Sequence, residues 1–291
     1  MRTVFLPRFL LLVFFLSGCA GPVLDLPEPT NQKLTEAHRL LDHHKLPPVT
    51  VFPITREDSG SYVDAYSPTK YRMRDAVARF CDRTNLGRCD EFSSLPYPAM
   101  EYNPKMINAH ADQHDRIIVY SGLVDTLGVQ DELGAVLAHE YAHVLLGHVD
   151  KSLTNAAVGG VIFPLLLGGL AVAADVDLHP STYFDAADLG MVVGSRAYSP
   201  EMELEADRLS VYILEEAGYS LTAMRDALVR LHRAHTDAQS SGLGTVGFLE
   251  THPSSDRRMA HMLATIEDVL ADVPWMGKTA RVVVEEDFEE D

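Results

Sequence analysis

The stretch from Asp131 to His148 constrains this chain more than any other, because it carries the pattern His139-Glu140-Tyr141-Ala142-His143. Read as one helix, it stacks His139 and His143 one turn apart on the same face, close enough for two imidazoles to share one metal ion. Zinc suits that pair. Glu140 projects from the next position, where its carboxylate takes a proton from the attacking water without ligating the metal, which is the place of a general base. Leu133, Val136, Leu137, Tyr141, Val144 and Leu145 also fall at helical spacing, so the helix has an apolar face to bury and its ligands are held rigidly.

Two histidines leave the coordination incomplete, and a second helix downstream offers the rest. Ser199 has the chemistry of an N-cap, Pro200 suits the first helical position, acids fill the first turn, and Gly218 ends the run. Such acids suit any helix N-terminus. Glu203 and Asp207 are nevertheless four apart and share a face, whereas Glu201 and Glu205 lie two positions either side of Glu203 and point elsewhere. Glu203 then supplies an anionic third ligand, with the fourth position left for water, and Asp207 accepts the spare N–H of a ligating histidine. The alternative with a third histidine, His-Glu-x-x-His-x-x-Gly-x-x-His, is excluded because Leu146 and Val149 stand where Gly and His are required. His148, five beyond His143, reads as a helix-end or outer-shell histidine.

A chain of 291 residues with 46% hydrophobic residues buries a full core as one large domain or two small ones. Its N-terminus has a different character. Arg2 and Arg8 precede an apolar run from Phe9 to Leu16 and then Ser17-Gly18-Cys19, the layout of an export signal too short to span a membrane as a mature helix. Leu16-Ser17-Gly18-Cys19 resembles the bacterial lipobox, which makes Cys19 the lipidated first residue of the mature chain. With Ala20 next, where an inner-membrane retention signal places Asp, it points to the periplasmic face of the outer membrane. Without residues 1–18 the chain keeps 22 basic against 42 acidic side chains, a net charge of −20, which argues against nucleic acid as a partner. Cys81 and Cys89 remain; they have no zinc-site partners nearby, and an oxidising compartment allows a disulfide between them.

Residues 19–48 are rich in proline and polar side chains and read as a tether with a short helical piece near Leu34–Leu41, on which His38, His43 and His44 are solvated. Val49–Ile54 reads as a strand and Tyr71–Phe80 as a helix; Tyr97–Tyr102 and Arg116–Tyr120 read as strands leading into the motif helix, with the extended segment Asn108–Ala111 between them. Residues 156–174 lack any charge. A single span there would leave His143 and Glu203 on opposite sides of a membrane, and Gly159-Gly160, Pro164 and Gly168-Gly169 make a poor continuous helix, so a buried or substrate-facing apolar hairpin is expected. The domain therefore runs over 49–272, followed by an acidic tail over 273–291.

Taken in order, Asn108-Ala109, Asp131-Glu132-Leu133 through His143 with His148, Glu203-Leu204-Glu205-Ala206-Asp207, and Thr251-His252-Pro253 with Arg258 resemble the zinc metallopeptidase family of the HtpX, BepA and LoiP proteases, of gluzincin type. The resemblance implies an α+β, mainly helical fold, a zincin-like metallopeptidase domain with a small antiparallel sheet beside the active-site helix. It implies one Zn²⁺ on His139, His143 and Glu203, Glu140 as base, and a strand edge at Asn108 and Ala109 that pairs with substrate backbone. It also places His252 near the metal, blocking its open site or steadying the oxyanion. Ser199-Pro200 departs from the Ser-Arg frequent in that family. The activity so implied is zinc-dependent endopeptidase cleavage of misfolded or misassembled envelope proteins, with the membrane reached through the lipid anchor. The rival is a chaperone or assembly factor for outer-membrane proteins with latent protease activity.

Overall fold

The computed structural model describes residues 24, 26–42, 61–84, 86, 88–127, 129–154, 198–240 and 247–276. The chain divides into two units, one of residues 24–149 with 197–291 and the other of 1–23 with 150–196, and the first carries the elements that follow. In order these are α1 (Asn31–Leu41), α2 (Ser61–Arg83), a 3-10 turn (Cys89–Ser94), β1 (Ala99–Glu101), β2 (Ala109–Ala111), β3 (Ile117–Tyr120), α3 (Ser121–Leu127), α4 (Gln130–Leu145), α5 (Pro200–Ala217), α6 (Ala223–Ser240), α7 (Gly247–Thr251) and α8 (Asp256–Leu270).

α4 is the hub. Every residue from Glu132 to Leu145 is buried, with α2, α5, α6 and β2 packed around it. A helix sealed on all sides holds its polar side chains in place, but each needs a partner within the protein. Glu132, at the start of α4, finds Arg230 of α6, which donates from Nε at 2.6 Å and Nη2 at 2.9 Å. Such a two-pronged contact fixes direction as well as distance.

α5 is bounded as its end residues dictate. The Ser199 hydroxyl accepts from Met202 N at 3.2 Å, and Gly218 closes the helix at φ 65°. Arg72 of α2 donates from Nε to Ala217 O at 2.7 Å and from Nη2 to Gly218 O at 2.9 Å, placing a cation on the negative end of α5. α2 thereby locks the helix that bears Glu203.

The sheet corrects the antiparallel expectation. Strand order is β1-β3-β2: β3 runs antiparallel to β2, in register Ala109↔Val119, and parallel to β1, in register Ala99↔Ile118. β2 and β3 form a hairpin around Asp112–Arg116, whereas the longer loop over 102–108 steps across the place β3 fills. The inserted third strand is what makes the sheet mixed, and strand propensity alone carries no sign of it. Ile117 and Val119 point into the core in β3's alternation.

Two boundaries also differ from the sequence reading. α1 lies within the segment read as a tether but packs on α8, with Ala37 and Leu41 buried and Lys33 paired with Glu267; His38 Nδ1 lies 2.9 Å from Asp256 Oδ2. Beyond 272, Val273, Pro274 and Trp275 are gripped by α5. Arg208 donates to Trp275 O at 2.5 Å, Tyr212 to Val273 O at 2.6 Å, and the Trp275 ring packs against Phe80. The expected strand at Val49–Ile54, the apolar segment over 156–174, Cys19 with its signal, and residues 277–291 lie outside the described residues.

Candidate metal centre

His139 and His143, one turn apart on α4, bring their Nε2 atoms to 3.1 Å, edge to face. Glu203, in the first turn of α5, reaches both: Oε2 is 3.4 Å from His139 Nε2 and Oε1 is 3.4 Å from His143 Nε2. From the turn between α7 and α8, His252 adds Nδ1 at 3.3 Å from His139 Nε2 and 2.9 Å from Glu203 Oε1. One ligand atom from each of the four residues thus falls within 4.8 Å of every other, and all four residues are buried.

Two features show that this group fits a metal rather than a closed hydrogen-bond network. The first is spacing: the corners of a tetrahedron with zinc–nitrogen bonds of about 2.0–2.1 Å stand roughly 3.3 Å apart, close to the separations above. The second is an excess of lone pairs. Glu203 Oε2 has Arg258 Nη1 at 2.8 Å but accepts no hydrogen bond, because Nη1 donates to His252 O at 3.0 Å and Pro253 O at 3.3 Å. Buried lone pairs without donors are costly in the absence of a cation. A set of imidazoles and a carboxylate suits zinc.

Asp207, one turn beyond Glu203, stands behind His139, its Oδ1 3.1 Å from His139 Nδ1, a close but bent approach that does not meet hydrogen-bond geometry. Arg258 of α8 holds Asp207 with both prongs, Nε to Oδ2 at 2.5 Å and Nη2 to Oδ1 at 2.8 Å. Burial is the largest influence and opposes charge on both carboxyls, but Arg258 with His139 lowers Asp207, and Arg258 with His252, His139 and His143 holds Glu203 well below the usual carboxylate range. His139 is pulled the other way. Burial disfavours its proton, but Asp207 and Glu203 together raise it to about 9 in the metal-free site. His143 is kept well below its ordinary value by burial and by the His139 and His148 imidazoles, despite Glu203.

Glu140 lies on the same turn, both carboxylate oxygens buried and without a hydrogen-bond partner, Oε1 being 3.4 Å from His252 Nε2. Tyr198 stacks on His143 with ring centroids 3.7 Å apart, and Phe248 stacks on His252 at 4.6 Å. These rings fix the planes of two of the three imidazoles in the group. Asn108 and Ala109 stand at the outer strand of the sheet. Asn108 O accepts from Tyr120 N at 3.1 Å, so by antiparallel alternation the backbone N–H and C=O of Ala109 and Ala111 face away from β3. Cys81 and Cys89 are joined as a disulfide between the end of α2 and the 3-10 turn.

The sequence reading of one unbroken helix to His148 fails at Gly147. That residue takes φ 65°, ends the helix, and lets the chain restart at 148. The break brings His148 Nδ1 to 3.0 Å from His143 Nδ1. Arg258, Tyr198 and Glu205 have larger parts than the sequence reading gave them. For Arg258 the available signal was its place six residues after His252; Tyr198 carried none beyond lying next to an N-cap.

Residues 85–266 match the model of peptidase family M48. The chain belongs to that family. Among curated relatives, the metalloprotease LoiP of Escherichia coli (strain K12) is 30% identical over 172 residues, covering 55% of this chain and 59% of that protein. The metalloprotease YcaL of the same strain is 28% identical over 207 residues, covering 70% and 73%. A putative beta-barrel assembly-enhancing protease of Vibrio cholerae is 28% identical over 165 residues, covering 56% of this chain but 33% of that protein. The chain thus spans a little over half of LoiP and a third of the Vibrio protein. In this M48 domain His139, His143, Glu203 and His252 form a buried group whose donor atoms could hold a metal ion.

Proposed function

We propose that this M48 protein is a zinc-dependent endopeptidase of the bacterial cell envelope, held by lipid on Cys19 at the periplasmic face of the outer membrane. We read its substrates as misfolded or misassembled envelope proteins, a reading supported by relatives named as metalloproteases and as beta-barrel assembly-enhancing proteases. The observation that carries the catalytic part is Glu140: a buried carboxylate with two unpartnered oxygens beside a metal-binding group.

When bound, zinc supplies Lewis-acid chemistry, polarising the scissile carbonyl and acidifying the attacking water. The rest falls to the chain's own residues. Glu140 takes one proton as the water oxygen bonds to the carbonyl carbon, then delivers it to the amine as the C–N bond breaks. Arg258 favours the ionised forms of Glu203 and Asp207, and Asp207 stands 3.1 Å from His139 Nδ1, placed to orient that ring if the contact straightens. An extended substrate would add to β2 as a further strand through the backbone of Ala109, which is buried in this structure beside Asn108 and would have to be uncovered first.

His252 decides when this happens. Its Nδ1, 2.9 Å from Glu203 Oε1 and 3.3 Å from His139 Nε2, could serve as a fourth ligand in place of water, and its Nε2 faces Glu140. This arrangement favours a latent enzyme that must withdraw His252 to act. Casein digestion by the purified chain, with and without chelator, tests both points. Chelation should abolish cleavage and zinc restore it, and Glu140→Gln should lower the rate by about 10²–10⁴-fold with zinc still near one per chain. His252→Ala should cleave faster than wild type. Loss of zinc in Glu140→Gln would overturn the division between base and ligands, and an unchanged or slower His252→Ala would overturn latency.

A further inference from the structure

His143 meets the metal group through Nε2, so in its neutral form the ring carries its proton on Nδ1. That N–H points at His148 Nδ1, 3.0 Å away. His148 must then accept on Nδ1 and carry its own proton on Nε2, which donates to Glu205 Oε2 at 3.1 Å. The second oxygen of Glu205, Oε1, accepts from the backbone N–H of Leu24. His148 and Glu205 are at most 1% exposed. Each link dictates the tautomer or donor of the next, and the series ends on a backbone amide 181 positions from Glu205.

Leu24 lies ahead of α1 in the chain, and the same stretch makes a second contact, this time with α8, whose Arg258 supports the metal group. Glu28 accepts from Arg257 Nη2 at 2.7 Å and Nε at 3.2 Å, one residue before the Arg258 that holds Glu203 and Asp207. We propose that Leu24, Glu205 and His148 position the ligand His143, so that seating of the arm over 24–42 and retention of zinc are one coupled equilibrium. This rests on His139, His143 and Glu203 holding zinc. It adds that a segment outside the family motifs belongs to the metal centre's support, and that displacing the arm loosens the metal. Coupling between two sites is reciprocal, which gives the proposal two independent readouts.

The experiment uses the full chain in detergent, with zinc affinity measured by chelator competition. His148→Phe removes both ring nitrogens and should weaken zinc binding about 10–100-fold. Glu205→Gln offers one acceptor end to two donors and should act in the same direction. Leu24→Pro deletes the amide hydrogen and should weaken zinc several-fold in the wild-type background but not further in Glu205→Gln, where the series is already cut. In the reverse direction, zinc should slow hydrogen exchange at the Leu24 amide of the wild type and leave it unchanged in His148→Phe. Unaltered far-UV circular dichroism identifies variants that fold. Equal effects of Leu24→Pro in both backgrounds, or exchange at Leu24 indifferent to zinc, would overturn the coupling while leaving the metal centre intact. A wild type that binds no zinc would overturn both.

Discussion

Arg258 lies between two carboxylates that must both stay ionised in a place almost without water. It donates twice to Asp207, sits 2.8 Å from Glu203 Oε2, donates from Nη1 to the carbonyls of His252 and Pro253, and brings Nη2 to 3.4 Å from His139 Nε2. One side chain therefore orients the residue behind His139, the carboxylate ligand and the turn that presents His252. Removing one partner from a buried charged group leaves the others uncompensated, at a cost of about 3–5 kcal/mol. Arg258→Ala should lose about that much stability in denaturant titration and bind zinc weakly. Arg258→Lys keeps the charge but not the fork, and should fall between. A neutral Arg258→Ala would mean Asp207 and Glu203 are not held by this cation.

At the scale of elements, the reach of the sequence can be judged from particular cases. Spacing of four along one helix brought out His139 with His143, and again Glu203 with Asp207, because helical periodicity is local and repeats every turn. The caps of α5 were legible for the same reason, since Ser199 and Gly218 act on their own neighbours. The order β1-β3-β2 was not, because pairing across an inserted strand depends on contacts far apart in sequence. Docking of α1 on α8 was hidden likewise: its buried face is narrow, with Ala37 and Leu41 the buried residues. Gly147 falls between the two cases. A glycine inside an apolar run passes for part of a helix, yet its φ of 65° ends α4 and aims His148 at His143. A Cβ there would meet only Arg88 Cδ at 3.9 Å, so the strain of substitution is conformational rather than steric. Gly147→Ala should cost about 1–2 kcal/mol in thermal or chemical unfolding, and Gly147→Asn less, because asparagine tolerates the left-handed region better. Equal costs would point to a different origin.

Across the whole molecule, metal, proton and fold are linked. His139 is raised from 6.5 to about 9 in the metal-free site, so its protonated form adds stability that is complete below pH 6.5 and is lost as pH rises through about 9. Zinc needs the same ring unprotonated, so it must displace that proton. His143, held low, has none to give. Calorimetric titration with zinc at pH 7.5, repeated in buffers of different ionisation enthalpy, should therefore report release of about one proton per metal, and zinc affinity should climb with pH until about 9 and then level. Uptake without proton release would contradict the charge pattern around His139.

One zinc ion held between α4 and α5 is what every proposed role requires, and X-ray absorption at the zinc edge combined with metal analysis examines that most directly. The purified chain should contain one zinc, surrounded only by nitrogen and oxygen at about 2.0–2.1 Å with imidazole signatures. His139→Ala, His143→Ala and Glu203→Ala should each lose it, and Glu140→Gln should keep it. A chain without zinc, a sulfur neighbour at about 2.3 Å, or full zinc occupancy with the ligand spectrum unchanged in Glu203→Ala would contradict the account.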